Sequence, residues 1–146
     1  MTYVYKVCSK KEWSDATEVG FYSGSEVDIN DGFIHLSTIN QIQVTVSKHF
    51  AGQEDLLIIQ FDENKIQNKL KWEASRDGDL FPHYYGNIQT KLEDKTFDLD
   101  LGINGIHKFP ENFFSYKFFR KLFFCFKPKL LSFIFIVYSF LNSIQK

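Results

Sequence analysis

The chain predicts an α+β domain: a small mixed or mainly antiparallel sheet with two early helices. Three observations carry that expectation. Short apolar or alternating runs recur at residues 3–7, 33–36, 56–61, 70–73 and 97–101, with the length and bounding turn residues of strands. Two segments in the first half instead carry apolar residues at helical spacing. The 146 residues are enough to bury a single core.

Residues 3–7 alternate in the manner of a half-buried strand. Ser9, followed three positions on by Glu12, has capping-box spacing: the serine accepts from the Glu12 amide and the glutamate reaches back. The helix that follows turns Trp13, Ala16 and Val19 inward and closes at Gly20. Residues 21–31 hold Ser, Gly, Asp and Asn and read as a loop, with Asp31-Gly32 as a tight turn. A short strand follows at 33–36. Ser37 or Thr38 then caps a second helix whose Ile39, Ile42, Val46 and Phe50 share one face, ending at Gly52.

The run 56–61 is the most apolar stretch of the body and predicts a central strand. Residues 62–68 are polar, enough for one helical turn. Strands are expected again at 70–73 and 97–101. Asp77-Gly78 reads as a turn, and Pro82 keeps Phe81 extended. The chain carries no internal repeat.

The formal net charge of -1 hides an asymmetry. After Phe114 there are six basic residues and no acidic one, so the first 114 hold 11 basic against 18 acidic residues. A body this acidic lacks the basic footprint that a nucleic-acid backbone demands, although one arginine suffices for a small anion. Two cysteines, Cys8 and Cys125, are too few for a disulfide framework and fit a reducing, cytoplasmic setting. The N-terminus shows no secretory apolar segment. The body is therefore placed at 1–114, with 115–146 a Phe- and Lys-rich tail outside it. Residues 130–141 of that tail are almost unbroken apolar, short of the roughly 20 that span a bilayer. A peripheral membrane anchor, a helix docked on the body and a simple extension are the readings open for it.

Two segments concentrate chemistry. In the first, His35 lies between Ile34 and Leu36, so a strand that buries those two turns the imidazole the other way, toward a cleft. Ser37 and Thr38 follow it, and a helix beginning there offers free amides to an anion. In the second, Trp72, Glu73, Arg76, His83, Tyr84 and Tyr85 lie within fourteen positions. Arg76 is the only arginine of the body, and a planar guanidinium suits phosphate or carboxylate better than an ammonium does. Isolated histidines are as often satisfied structural groups, and His49 and His107 are read that way. Cys8 reads as core rather than nucleophile. No metal-ligand spacing, Gly-rich phosphate loop or nucleophile elbow occurs.

Residues 3–113 resemble a bacterial family, domain of unknown function 952. The resemblance is carried by Tyr5-Lys6, Glu12-Trp13, Gly24-Ser25, the run from Asp31 to Thr38, the run from His49 to Gln53, Leu70, Trp72-Glu73, Ser75-Arg76, Phe81-Pro82-His83 and Tyr85-Gly86. Tyr84 stands where the family pattern has an aliphatic residue. The resemblance implies a distant ADP-ribosyltransferase-like fold. In that superfamily a strand-borne histidine with a following hydroxyl holds a ribose of NAD, and a tyrosine stacks on nicotinamide. It thus suggests His35 with Ser37 or Thr38, and Tyr85 or Tyr84, for those parts.

The expected function is a pocket that binds NAD or a related nucleotide as a possible substrate and transfers or hydrolyses ADP-ribose. His35 and Glu73 are its candidate catalytic residues. Glu73 would stabilise the positive charge that builds on ribose as nicotinamide leaves. Ser37, Thr38, Trp72, Arg76, His83, Tyr84 and Tyr85 are its candidate ligand-binding residues. No certain cofactor and no metal are expected. The alternatives are a non-catalytic ligand-binding or partner-regulating domain, and an accessory protein held at a membrane by its tail.

Overall fold

A computed structural model of the chain describes residues 2–75 and 78–114. Residues 1–110 form one compact unit, and the description below is of that unit. The expectations for residues 115–146 lie outside the described residues.

Strand β1 (Tyr3–Ser9) runs straight into helix α1 (Lys10–Val19). The capping box is formed from both sides: the Ser9 hydroxyl accepts from the Glu12 amide, and the Glu12 carboxylate accepts from the Ser9 amide. Gly20 closes the helix at φ 87°, the left-handed conformation that glycine adopts without strain. Trp13 and Ala16 face the core, while Val19 is exposed. Ser9→Ala is expected to cost about 1 kcal/mol, read as a lower urea midpoint with unchanged slope.

Strand β2 (Phe21–Tyr22) is followed by helix α2 (Glu26–Asp31), where the sequence reading had only a loop. This helix is also entered through a capping box. The Ser25 hydroxyl meets the Asp28 amide at the long end of hydrogen-bond range, and the Asp28 carboxylate accepts from the Ser25 amide. The expected Asp31-Gly32 turn is the end of α2, with Gly32 as its left-handed cap at φ 80°.

Strands β3 (Ile34–His35) and β4 (Ser37–Thr38) then split the run 34–38 between two sheets. Helix α3 (Ile42–His49) starts later than expected, and neither Ser37 nor Thr38 caps it. Thr38 instead donates its amide and hydroxyl to the Gln41 side chain, and Ser37 is buried against the Thr45 hydroxyl. The expected buried face of α3 is partly realised, by Ile42 and Val46.

Strand β5 (Leu56–Asp62) is the central strand. A short helix α4 (Glu63–Ile66), capped by Asp62, leads to β6 (Leu70–Ala74) and β7 (Leu80–Tyr84). Strands β8 (Ile88–Gln89), β9 (Glu93–Leu101) and β10 (His107–Lys108) complete the unit. The five-stranded sheet has the order β10-β9-β5-β1-β4. A three-stranded sheet has the order β3-β7-β6, and β2 pairs with β8. All assigned pairings are antiparallel.

The main apolar cluster lies over one face of the large sheet. Val4 and Cys8 of β1 and Ile59 and Phe61 of β5 pack there with Trp13, Tyr22, Ile34, Leu36, Ile66, Tyr84 and Ile88. Burial pushes the Cys8 thiol up to about 12, which keeps it an inert core group. Strand β1 is buried almost throughout, with β5 on one side and β4 on the other. Lys6 therefore points inward with Val4 and Cys8 and is 4% exposed. A buried ammonium requires a counter-charge, and α2 supplies it.

Candidate functional site

The site is one face of the three-stranded sheet. Successive side chains of a strand point to opposite faces, and the β3-β7-β6 register decides which residues meet. His35 pairs with His83, and His83 with Lys71. Glu73 follows Lys71 at a two-residue step, and Phe33 and Tyr85 extend the same face of β3 and β7. The alternate positions Ile34 and Tyr84 pair with each other and enter the core.

Each imidazole is held by a carboxylate through Nδ1. His35 Nδ1 lies 2.8 Å from Asp28 Oδ1, which also accepts from the His35 amide at 2.9 Å. The second Asp28 oxygen accepts from Lys6 Nζ at 2.5 Å, from the Ser25 amide at 2.8 Å and from the Ser25 hydroxyl at 2.9 Å. Asp28 is itself 2% exposed. Burial works to raise its pKa, but the His35 hydrogen bonds and the Lys6 ammonium outweigh it and hold the carboxyl well below the usual carboxylate range. His83 Nδ1 lies 2.9 Å from Glu73 Oε2, and the Tyr85 hydroxyl donates to both Glu73 oxygens at 2.9 and 3.1 Å. The hydrogen bonds from His83 and Tyr85 lower the Glu73 pKa, and the same contact raises that of Tyr85. Because an ionised carboxylate can only accept, the Nδ1 atoms carry the protons in both pairs.

Aromatic contacts lock the rings. Phe33 stacks on His83 with centroids 4.2 Å apart and planes 20° apart, and it also touches His35 and Tyr85. The two imidazoles meet edge to face at 5.3 Å. Lys71 Nζ sits 4.1 Å above the Tyr85 ring, a cation–π contact that leaves its charge at the rim. The His35 side chain is 41% exposed and that of His83 is 12% exposed. Beside Phe33, between α2 and the Gly86-Asn87 turn, lies an open hollow of about 390 Å³ that neither imidazole lines. That volume lies within the roughly 300–1,000 Å³ typical of ligand clefts.

The family model described as "Protein of unknown function (DUF952)" matches residues 7–92, which include every one of these side chains except Lys6. The chain belongs to the DUF952 family. The crystal structure of protein CC0527 from Caulobacter crescentus is 41% identical over 73% of this chain and 94% of that one, with a TM-score of 0.70. The solution structure of the same protein is 40% identical over 80% and 97%, with a TM-score of 0.66. Among curated proteins nothing matches.

Within this DUF952 domain the face unites His35, Glu73, His83 and Tyr85, which were nominated from sequence. Four other nominees lie elsewhere. Tyr84 is a core residue, 4% exposed, because it is one step out of phase with His83. Trp72 is likewise out of phase with Glu73, and its indole donates to Glu63 on the other side. Ser37 belongs to the large sheet, where it is buried on Thr45, and Thr38 is tied to Gln41. Arg76 falls outside the described residues. His107 is structural as expected, with Nε2 2.8 Å from the Gln53 carbonyl oxygen.

Four contributors are absent from the sequence candidates, one of them Lys71 at the rim. Asp28 and Lys6 are the buried pair behind His35, and Phe33 is the ring that packs the two histidines together. The Ser25–Asp28 spacing, the same as the Ser9–Glu12 box, was the available signal for Asp28. Among the described residues no helix is long and apolar enough to cross a membrane.

Proposed function

We propose that this face binds a nucleotide-type ligand, NAD or a related ADP-ribose compound, in an ADP-ribosyltransferase-like manner. The observation that carries the reading is the juxtaposition of two carboxylate-held imidazoles on adjacent strands, His35 partly open to solvent and His83 largely buried beside it. Preoriented N–H and N: groups beside aromatic rings suit a sugar and a flat base better than an apolar ligand. His35 is the ribose-holding group of the resemblance, Tyr85 supplies the aromatic face, and Lys71 the cation for phosphate. Arg76, two positions beyond the end of β6 in sequence, is proposed as the guanidinium for the pyrophosphate. Ser37 takes no part, because its hydroxyl is buried, so the histidine works without the hydroxyl that follows it in the superfamily pattern.

Differential scanning fluorimetry of the full chain with NAD and with ADP-ribose tests this. Ligand at a hundredfold excess over Kd adds about 2.7 kcal/mol of apparent stability, a rise of several degrees. His35→Ala is expected to remove that rise, Arg76→Lys to reduce it, and Trp72→Ala, on the far side of β6, to leave it intact. A shift that survives His35→Ala and disappears in Trp72→Ala assigns the ligand to the opposite side of the sheet.

A further inference from the structure

We infer that His83 is a general base that activates water, so that the reaction at this face is hydrolysis of the nucleotide rather than transfer to a protein or small-molecule acceptor. The inference rests on the nucleotide reading above and deepens it by naming the reaction. A general base needs a lone pair aimed outward and a third group that fixes the ring. The Glu73 carboxylate accepts a hydrogen bond from His83 Nδ1–H, which leaves the lone pair on Nε2. Nε2 has no hydrogen-bond partner among the described residues, whereas His35 Nε2 lies 3.4 Å from the Asp31 carboxylate. Phe33, stacked flat on the His83 ring, prevents the imidazole from turning away.

The nucleophile must come from outside the chain. Among the described residues no hydroxyl or thiol is hydrogen-bonded to His83. Ser37 is committed to Thr45, the Tyr85 hydroxyl donates to Glu73, and Cys8 is buried. Glu73 does not serve as the free carboxylate of the sequence reading either, since both of its oxygens already accept from the protein. It is a positioning residue for His83.

For NAD the step balances as follows. A water oxygen bonds to C1′ of the nicotinamide ribose as the C1′–N bond breaks. The bonding pair leaves on the ring nitrogen, so the pyridinium departs as neutral nicotinamide. The water proton passes to His83 Nε2 and then to solvent, while the Nδ1 proton stays on His83, hydrogen-bonded to Glu73. The products are ADP-ribose, nicotinamide and one proton.

The full chain is incubated with NAD, and nicotinamide, free ADP-ribose and the intact protein mass are measured. The expected result is equal release of nicotinamide and ADP-ribose with no mass added to the protein. His83→Gln is expected to lose at least about a hundredfold in kcat, the lower end for a general base, a far larger loss than any weakening of NAD binding read from the thermal shift. Glu73→Gln is expected to lower kcat with KM unchanged, which a merely structural role would not do. NAD binding without nicotinamide release overturns the hydrolase inference and leaves the nucleotide reading standing. ADP-ribose found on the protein, or full activity in both variants, overturns it equally. Absence of any NAD- or ADP-ribose-dependent shift overturns both readings.

Discussion

Asp28→Ala is expected to destabilise the domain by about 3–5 kcal/mol, the range for removing one partner of a buried ion pair. Asp28 is the only hydrogen-bond and ion-pair partner found for the Lys6 ammonium among the described residues, and the Lys6 side chain is 5% exposed. The substitution also strips the Ser25 amide, the Ser25 hydroxyl, the His35 amide and His35 Nδ1 of their acceptor. Five donors lose one carboxylate. At about 4 °C per kcal/mol for a domain of this size, calorimetry should record a fall of roughly 12 °C or more. The double variant Lys6→Met/Asp28→Leu should recover a large part of that loss, because it removes the orphaned charge as well as its partner. A single-variant loss below about 1 kcal/mol would mean that Lys6 finds water or another acceptor on its own.

The same carboxylate fixes a pH dependence. Its folded-state pKa lies below its unfolded value. Its contribution is therefore complete above the unfolded carboxylate range, near pH 4, and drains away as pH falls below that. Asp28 gives no slope to stability between about pH 5 and 8. Asp28→Ala should flatten the acid limb of the stability curve and leave the neutral region parallel to that of the wild-type chain.

What could be read from the sequence was local. The Ser9–Glu12 box, the apolar run that became β5 and the alternation around His35 each depend on neighbours a few positions apart. The inward Ile34 and outward His35 follow directly from a period of two. What could not be read was pairing between distant segments. Tyr84 and Tyr85 are equivalent as composition, and only the register His35↔His83 decides that one enters the core and the other the site. Ser37 looked like a cap because it precedes a helical pattern, yet its pairing opposite Tyr5 draws it into the large sheet. The missed helix α2 is of another kind. Its six residues are too few for a periodic apolar stripe, and Val27 and Ile29 are left exposed. Its cap was readable, but the Gly-, Asp- and Asn-rich composition outweighed it. With α2 went Asp28, and with Asp28 the reason for a lysine in the interior of β1.

Gly24→Ala is expected to cost about 2–5 kcal/mol, more than an alanine at another glycine of the same helix-flanking kind. Gly24 has φ 103°, where a Cβ carries a strain of about 1–2 kcal/mol. That Cβ would also lie 2.6 Å from Asp28 Cβ. The clash is with the root of a side chain fixed by the α2 backbone, not with a mobile tip, so the backbone itself must give, at about 1–3 kcal/mol. Gly20→Ala provides the comparison. Gly20 has φ 87°, and nothing lies within 4 Å of its built Cβ, so only the strain applies. Urea denaturation of the two variants separates strain from clash. The displacement at Gly24 should reach the site as well, since Asp28 moves with its Cβ and His35 Nδ1 loses the acceptor that fixes its tautomer. Nitrogen-15 spectra of the imidazoles should then show a changed His35 Nδ1 signal while His83, held by Glu73 on the other strand, keeps its own. Equal stability losses in the two alanine variants, with an unchanged His35 signal, would mean that α2 shifts freely and that Asp28 does not hold His35 in place.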